Sequence, residues 1–213
     1  MTHKNVFITG GATGIGRQIA DYLAREGYAI FINYRRSREQ AESLVADLNR
    51  KYSVPARAFS GDIANKEDCI KLYRKITTIV PGIDILIHNA GPYIHERKEM
   101  VEYEFAEWEY IINGNLNGVF YLSKLFLPYM RKQNWGRIIT FGFDRAETAP
   151  GWRHRSAFAA AKTGLVSLTK TLSMEEAVHG ISVNMVVPGD IVSPWKEKTI
   201  TEARIVEDPD TPV

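Results

Sequence analysis

Several absences narrow the reading of this chain before any motif is considered. Of its 213 residues only Cys69 is a cysteine, so no disulfide can form within the chain. Cys69 falls in a helical pattern with Leu72, Tyr73 and Ile76, which reads as a buried structural thiol. An excess of one charge is missing too: 27 Lys and Arg against 25 Asp and Glu leave a net charge of +2. The basic residues are scattered apart from WRHRS at 152–156, so no nucleic-acid partner is expected. No apolar run reaches membrane-spanning length, and the first strand pattern begins within a few residues of Met1, leaving no room for a signal peptide. A soluble, cytoplasmic protein without a membrane partner is the expectation. Cys/His or carboxylate clusters at metal-ligand spacing are absent, so no metal is expected. Neither linker, repeat nor low-complexity tract interrupts the chain before residue 195. One domain over residues 1–198 follows, with the polar, proline-bearing stretch 199–213 read as a loose tail.

What is present is rhythm. Apolar runs at 5–8, 29–32, 56–59, 83–87, 137–141 and 181–187 alternate with helix-period segments at 15–26, 37–51, 66–79, 103–133 (with a break allowed) and 155–179. The runs are nearly continuously apolar, as strands covered on both faces must be. The chain is therefore α/β: a single-domain, doubly wound parallel sheet between two helical layers, α/β/α. Gly27 and Gly180 stand where helix ends need a left-handed residue. The stripe Trp108, Ile111, Ile112, Phe120, Leu122 and Leu125 is wide enough for both core and subunit contact.

Residues 9–16 read TGGATGIG, between the strand Val6, Phe7, Ile8 and the helical pattern Ile15, Ile19, Ala20, Leu23. A strand that ends in a glycine-rich turn and opens a helix presents backbone N–H groups to an anion, and glycine lets a diphosphate approach. A bound dinucleotide is the expectation. An acid at the end of the second strand would hydrogen-bond a free ribose 2′-hydroxyl and repel a 2′-phosphate. Here the sequence is NYRRSRE: Asn33 and Tyr34 stand near the acidic position, followed by Arg35 and Arg36, whose planar guanidiniums suit a phosphate. NADP(H) is favoured over NAD(H).

Further segments carry a family likeness: Asp62 after the third strand, NAG at Asn89–Gly91, NLNGVF around Asn115, GRIIT at 136–140, FAAAK ending at Lys162, and VNMVVPG ending at Gly189. With TGGATGIG they resemble the short-chain dehydrogenase/reductase family, most closely its 3-oxoacyl-[acyl-carrier protein] reductase-like members, from residue 4 to about 195. The resemblance implies a Rossmann-type fold and a homodimer or homotetramer acting on a small-molecule or acyl-thioester carbonyl substrate. It also implies cofactor roles: Gly10, Gly14 and Gly16 for the turn and close helix contact; Thr13, Gly14 and Ile15 for phosphate; Asp62 and Ile63 for adenine. Asn89, Ala90 and Gly91 would line the nicotinamide-side ribose, with Lys162, Pro188 and Gly189 as further contacts. The lesser reading of Asp62 is the N-cap of the helix near Lys66, and Asn89 also reads as a strand-end stabiliser. Family members usually run on for some tens of residues into another helix and a closing strand, for which this sequence has no counterpart.

At the catalytic positions the chain departs from the family pattern. A tyrosine four residues before the lysine shares its helix face, and the ammonium lowers the phenol pKa so that the phenol can give a proton to the substrate oxygen. Lys162 is present, but Phe158 stands in the tyrosine's place, and Phe143 stands where the family's serine steadies the carbonyl. The spacing from Phe143 to Phe158 is longer than usual, which leaves room for Asp144 or Arg145 to turn into the serine's place. Asn115 is implied to hold a relay water, or else to kink its helix. Tyr93, His95, His154 and Ser156 are the substitute donors nearby. WRHRS could meet an acidic carrier protein, although a solvated loop is the simpler reading. The substrate is read from the loop PGDIVSPWKEK, whose sequence does not name it.

Overall fold

The computed structural model describes residues 3–189. The chain alternates β1 (Asn5–Ile8), α1 (Gly14–Arg25), β2 (Ala29–Tyr34), α2 (Arg38–Tyr52), β3 (Ala56–Ser60), α3 (Lys66–Thr77) and β4 (Ile85–His88). It continues through α4 (Phe105–Ile112), α5 (Gly118–Lys132), β5 (Gly136–Phe141), α6 (Ser156–Glu176) and β6 (Ile181–Val186). All strand pairs are parallel, in the order β3-β2-β1-β4-β5-β6. The winding reverses between β1 and β4, so their carboxyl ends open a crevice at the switch point.

Strand periodicity builds the three layers. Val6 and Ile8 of β1 face a core made with Ala20, Ala24, Ala41, Leu44 and Leu48 of α1 and α2. Phe7, one residue away, points to the opposite core with Leu72, Ile76, Leu122 and Phe126 of α3 and α5. β1, β2 and β4 are almost wholly buried, as the continuous apolar runs require, while β5 alternates buried and half-buried positions. β3 (ARAFS) and β6 each mix buried and exposed positions. They flank the sheet among the described residues, and a flanking strand needs less apolar cover.

Gly27 and Gly180 adopt φ of +87° and +68°, the left-handed ends read from the sequence. The expected helix over 103–133 is two helices joined by one π turn, Asn113–Asn117. Of its apolar stripe, Ile111 and Leu122 enter the core, whereas Trp108 and Phe120 remain partly exposed. Cys69 is buried, and desolvation pushes its thiol up to about 12. No helix among the described residues is long and apolar enough to cross a membrane, and no group of three or more potential metal ligands gathers there. The tail 199–213 and the segment from Asp190 onward lie outside the described residues.

Candidate active site

Gly10, at φ +62°, turns the chain out of β1. At Gly16 a Cβ would stand 2.4 Å from the Gly10 carbonyl oxygen and 2.6 Å from Asn89 Nδ2, so α1 meets the turn closely only because this residue lacks a side chain. Asn89 Nδ2 donates to the carbonyls of Thr9 and Gly10 at 3.0 and 3.1 Å, the strand-end role read for it. The first turn of α1 carries no acidic residue, and no side chain caps it at Thr13. The N-terminus of α1, the positive end of its dipole, faces a groove of about 430 Å³.

Gly10, Thr13, Gly14, Ile15, Arg35, Asp62, Ile63, Asn89, Ala90 and Gly91 all line this groove. Gly61, Pro92 and Tyr110, which sequence reasoning missed, line it as well. Pro92 could have been found by extending NAG by one residue. Tyr110 comes from α4, and no spacing in the sequence announces it. Arg35 crosses the groove's far end, 3.3 Å from Asp62 Oδ2 and with its guanidinium 5.2 Å from the Tyr110 ring. Tyr34 and Arg36 do not line the groove: the Tyr34 ring packs on the α1/α2 core, and Arg36 is exposed. Pro188 and Gly189 lie beyond β6, half-buried and exposed respectively, and are also outside it. Asp62 is not the helix cap. Asn65 caps α3 by accepting from the Asp68 amide, while Asp62 accepts from Ala64 N.

Opposite the glycine turn, Lys162 is buried on α6 and donates from Nζ to the Phe141 carbonyl at 2.7 Å. Two of its ammonium hydrogens have no acceptor among the described residues, and burial lowers its pKa to about 8. A Cβ on Gly91 would meet Asn115 Oδ1 at 2.3 Å and Lys162 Nζ at 3.5 Å, so Lys162, Asn115 and Gly91 form one corner. Asn115 sits in the π turn. Its Nδ2 donates to the carbonyls of Ile111 and Pro92, at 3.0 and 2.8 Å, while its buried Oδ1 accepts nothing. Both readings of Asn115, helix break and polar site group, thus fall on the same residue. The spare donors of Lys162 and the side-chain-free cradle at Gly10, Gly16 and Gly91 fit a dinucleotide.

The two phenylalanines close the corner as an apolar wall. Phe143 is buried, its ring 5.0 Å from Trp152 and 6.2 Å from Phe158. Phe158 also meets Trp152 at 5.8 Å and lies 5.6 Å from Lys162 Nζ. Neither Asp144 nor Arg145 has turned into the serine's place: both are exposed and lie 3.8 Å apart. Besides Asn115 Oδ1, the buried side-chain atoms without a hydrogen-bond partner among the described residues are Trp152 Nε1, His154 Nδ1 and Ser156 Oγ. Trp152 and His154 belong to the turn that leads into α6 and Ser156 is the helix's first residue, and the Trp152 ring packs on the aromatic wall. Buried polar groups are nearly always paired, so these three are the polar groups here with hydrogen-bonding capacity left for a ligand or water. The WRHRS turn is also more than a solvated loop, since Arg155 is buried.

The profile of the short chain dehydrogenase family matches residues 4–204. The chain belongs to this family. It is 34% identical over 192 residues to the 3-oxoacyl-[acyl-carrier-protein] reductase FabG of Staphylococcus epidermidis, covering 90% of this chain and 76% of that protein. A Bacillus thuringiensis structure, provisionally described as a 3-oxoacyl-reductase, superposes with a TM-score of 0.89 at 46% identity, covering 94% of this chain and 82% of the other. A blue fluorescent protein from a metagenomic library, solved in complex with NADPH, gives a TM-score of 0.82 at 30% identity, covering 90% of this chain and 76% of the other. In this short chain dehydrogenase the oxidoreductase class is thus established together with the Rossmann-like parallel sheet.

Proposed function

We propose that this short chain dehydrogenase is an NADP(H)-dependent carbonyl reductase, related in substrate class to 3-oxoacyl-[acyl-carrier protein] reductases, whose proton-donor site departs from the family pattern. The observation that carries the reading is the groove itself. A glycine turn and the N-terminus of α1 line it together with Arg35, and the end of β2 carries Asn33 and Tyr34 in place of an acid that would repel a 2′-phosphate. In this reading Arg35 holds the 2′-phosphate, Asp62 and Ile63 the adenine, the amides of Thr13–Ile15 the diphosphate, and Asn89–Gly91 with Lys162 the nicotinamide-side ribose. The bound cofactor supplies hydride. The protein supplies orientation and a polar setting for the oxygen that becomes charged. The FabG relative and the NADPH-bound neighbour support the substrate and cofactor classes. A homodimer or homotetramer belongs to the same proposal, supported by the partly exposed Trp108 and Phe120.

Phe143 and Phe158 favour a second reading, a nucleotide-binding sensor or a silent partner of an active homologue. Titration with NADPH and NADH, followed by a carbonyl-substrate screen, separates the two. Tighter binding of NADPH with turnover of some carbonyl supports the reductase; binding without turnover supports the sensor. Ordinary 3-oxoacyl thioesters should be poor substrates, because Phe143 and Phe158 stand where the family's serine and tyrosine hydroxyls would meet the substrate oxygen, and loss of an oxyanion donor alone costs on the order of 100-fold or more. The double variant Phe143→Ser, Phe158→Tyr should recover a factor of about 100 on them. No gain would mean that the pocket has diverged beyond its hydroxyls.

A further inference from the structure

Arg155 is a cation in an unusual place. It is 7% exposed, and no carboxylate lies within ion-pair distance of it among the described residues. Its donors are instead spent mostly on residues 93–96: Nη1 on the carbonyl of Glu96 (2.8 Å), Nη2 on that of His95 (3.2 Å) and Nε on the phenol oxygen of Tyr93 (2.5 Å), with Nη1 also donating to the carbonyl of its neighbour His154 (3.1 Å). A buried charge without a counterion is costly, and hydrogen bonds to neutral carbonyls offset only part of that cost. Such an arrangement is suited to a site where negative charge develops nearby.

Tyr93 is the titratable side chain that Arg155 holds. Its ring meets Phe158 edge-on at 5.0 Å and 90°, directly against the ring that fills the family's tyrosine position. It follows Pro92, which lines the cofactor groove and whose carbonyl is gripped by Asn115. The segment is therefore pinned from two sides, by the π-turn asparagine and by the guanidinium at the start of α6.

We propose that Tyr93 is the proton donor of this site and that Arg155 is its positioning residue, fixing the phenol and supporting the phenolate left behind. This inference rests on the carbonyl reductase reading. A bound reduced nicotinamide would supply hydride to the carbonyl carbon, becoming the oxidised form, while the Tyr93 phenol gives its proton to the carbonyl oxygen, so that the C–H and O–H bonds of the alcohol form as the phenolic O–H breaks. The Tyr93 phenolate then regains its proton from water.

Facing Tyr93 are Arg155, the residue before α6, and His95 from its own loop, at 5.0 Å between rings, with Lys162 behind Phe158. The experiment uses the full chain and four proteins: wild type, Tyr93→Phe, Arg155→Met and Arg155→Lys. In ultraviolet phenolate titration without cofactor, one wild-type tyrosine should ionise below the ordinary value of about 10. That transition should vanish in Tyr93→Phe, move upward in Arg155→Met and return in part in Arg155→Lys. With a substrate found by the screen, Tyr93→Phe should lose about 100-fold or more in kcat at little change in KM or in NADPH affinity. A Tyr93→Phe enzyme that keeps its rate, or an unchanged phenolate titration, overturns the donor role alone. Wild-type protein that binds no NADPH overturns the functional reading, and the donor role with it. If Arg155→Met fails to fold, the Tyr93→Phe comparison still decides.

Discussion

Lys162 is held in two conflicting ways: it is wanted for its charge, yet it is placed where charge is expensive. Burial takes its pKa from 10.5 to about 8, so between those values the folded chain has released a proton that the unfolded chain still holds. Stability contributed at this residue therefore rises with pH across that window, and below it the desolvated ammonium is a standing cost. Lys162→Met should raise stability near neutral pH by about 2–3 kcal/mol, several degrees in Tm, and that advantage should shrink as pH climbs toward 10.5. Melting curves across that range test it, and a variant less stable than wild type at neutral pH contradicts the argument. The same variant should bind NADPH more weakly. At this scale Lys162, Phe143 and Phe158 were legible because family spacing places them. Arg155 was not singled out: WRHRS looks like a charged loop until tertiary contacts bury one of its arginines.

At the scale of elements, the glycine turn and α1 act as a single part. An added methyl at Gly16 meets backbone oxygen at 2.4 Å, which cannot move without shifting the turn. Gly16→Ala should therefore abolish measurable dinucleotide binding while leaving a cooperative melt, lowered by a few degrees. Calorimetric titration beside a thermal melt distinguishes this from unfolding, and undiminished binding would show that the turn does not carry the diphosphate. Most elements were readable from period alone, because strands buried on both faces and helices buried on one leave different patterns. The segment 103–133 was read as a helix with a break allowed, and its break could not be located. Its apolar stripe runs on through Asn113–Asn117, and the π turn depends on Asn115 reaching the Pro92 carbonyl, a contact with no local signal. β3 departed from expectation for a related reason: its flanking place in the sheet is a property of topology.

For the molecule as a whole, acid should be the weak side. His88 at the end of β4 is fully enclosed, bonded to Ser123 at 3.0 Å, and its pKa falls from 6.5 to about 3 through burial first and the Lys162 charge second. The unfolded chain takes up this proton as pH falls below 6.5 while the folded chain resists it, so stability should decline from there toward pH 3. Replacing His88 by Gln should flatten that decline in denaturant titrations over the same range; an unchanged slope would place the sensitivity elsewhere. Sedimentation at several concentrations should find a homodimer or homotetramer, and a monomer throughout would leave Trp108 and Phe120 unexplained.

The solitary thiol gives this protein a built-in reporter. Cys69 Sγ lies 3.4 Å from the carbonyl of Ile63, a groove residue, and its raised pKa keeps it inert while the fold is closed. Labelling by a thiol reagent must therefore wait for α3 to open, so its rate counts those openings one molecule at a time. Saturation with NADPH should slow that clock, turning a chemically silent residue into a gauge of how far nucleotide occupancy tightens α3 onto the middle of the sheet.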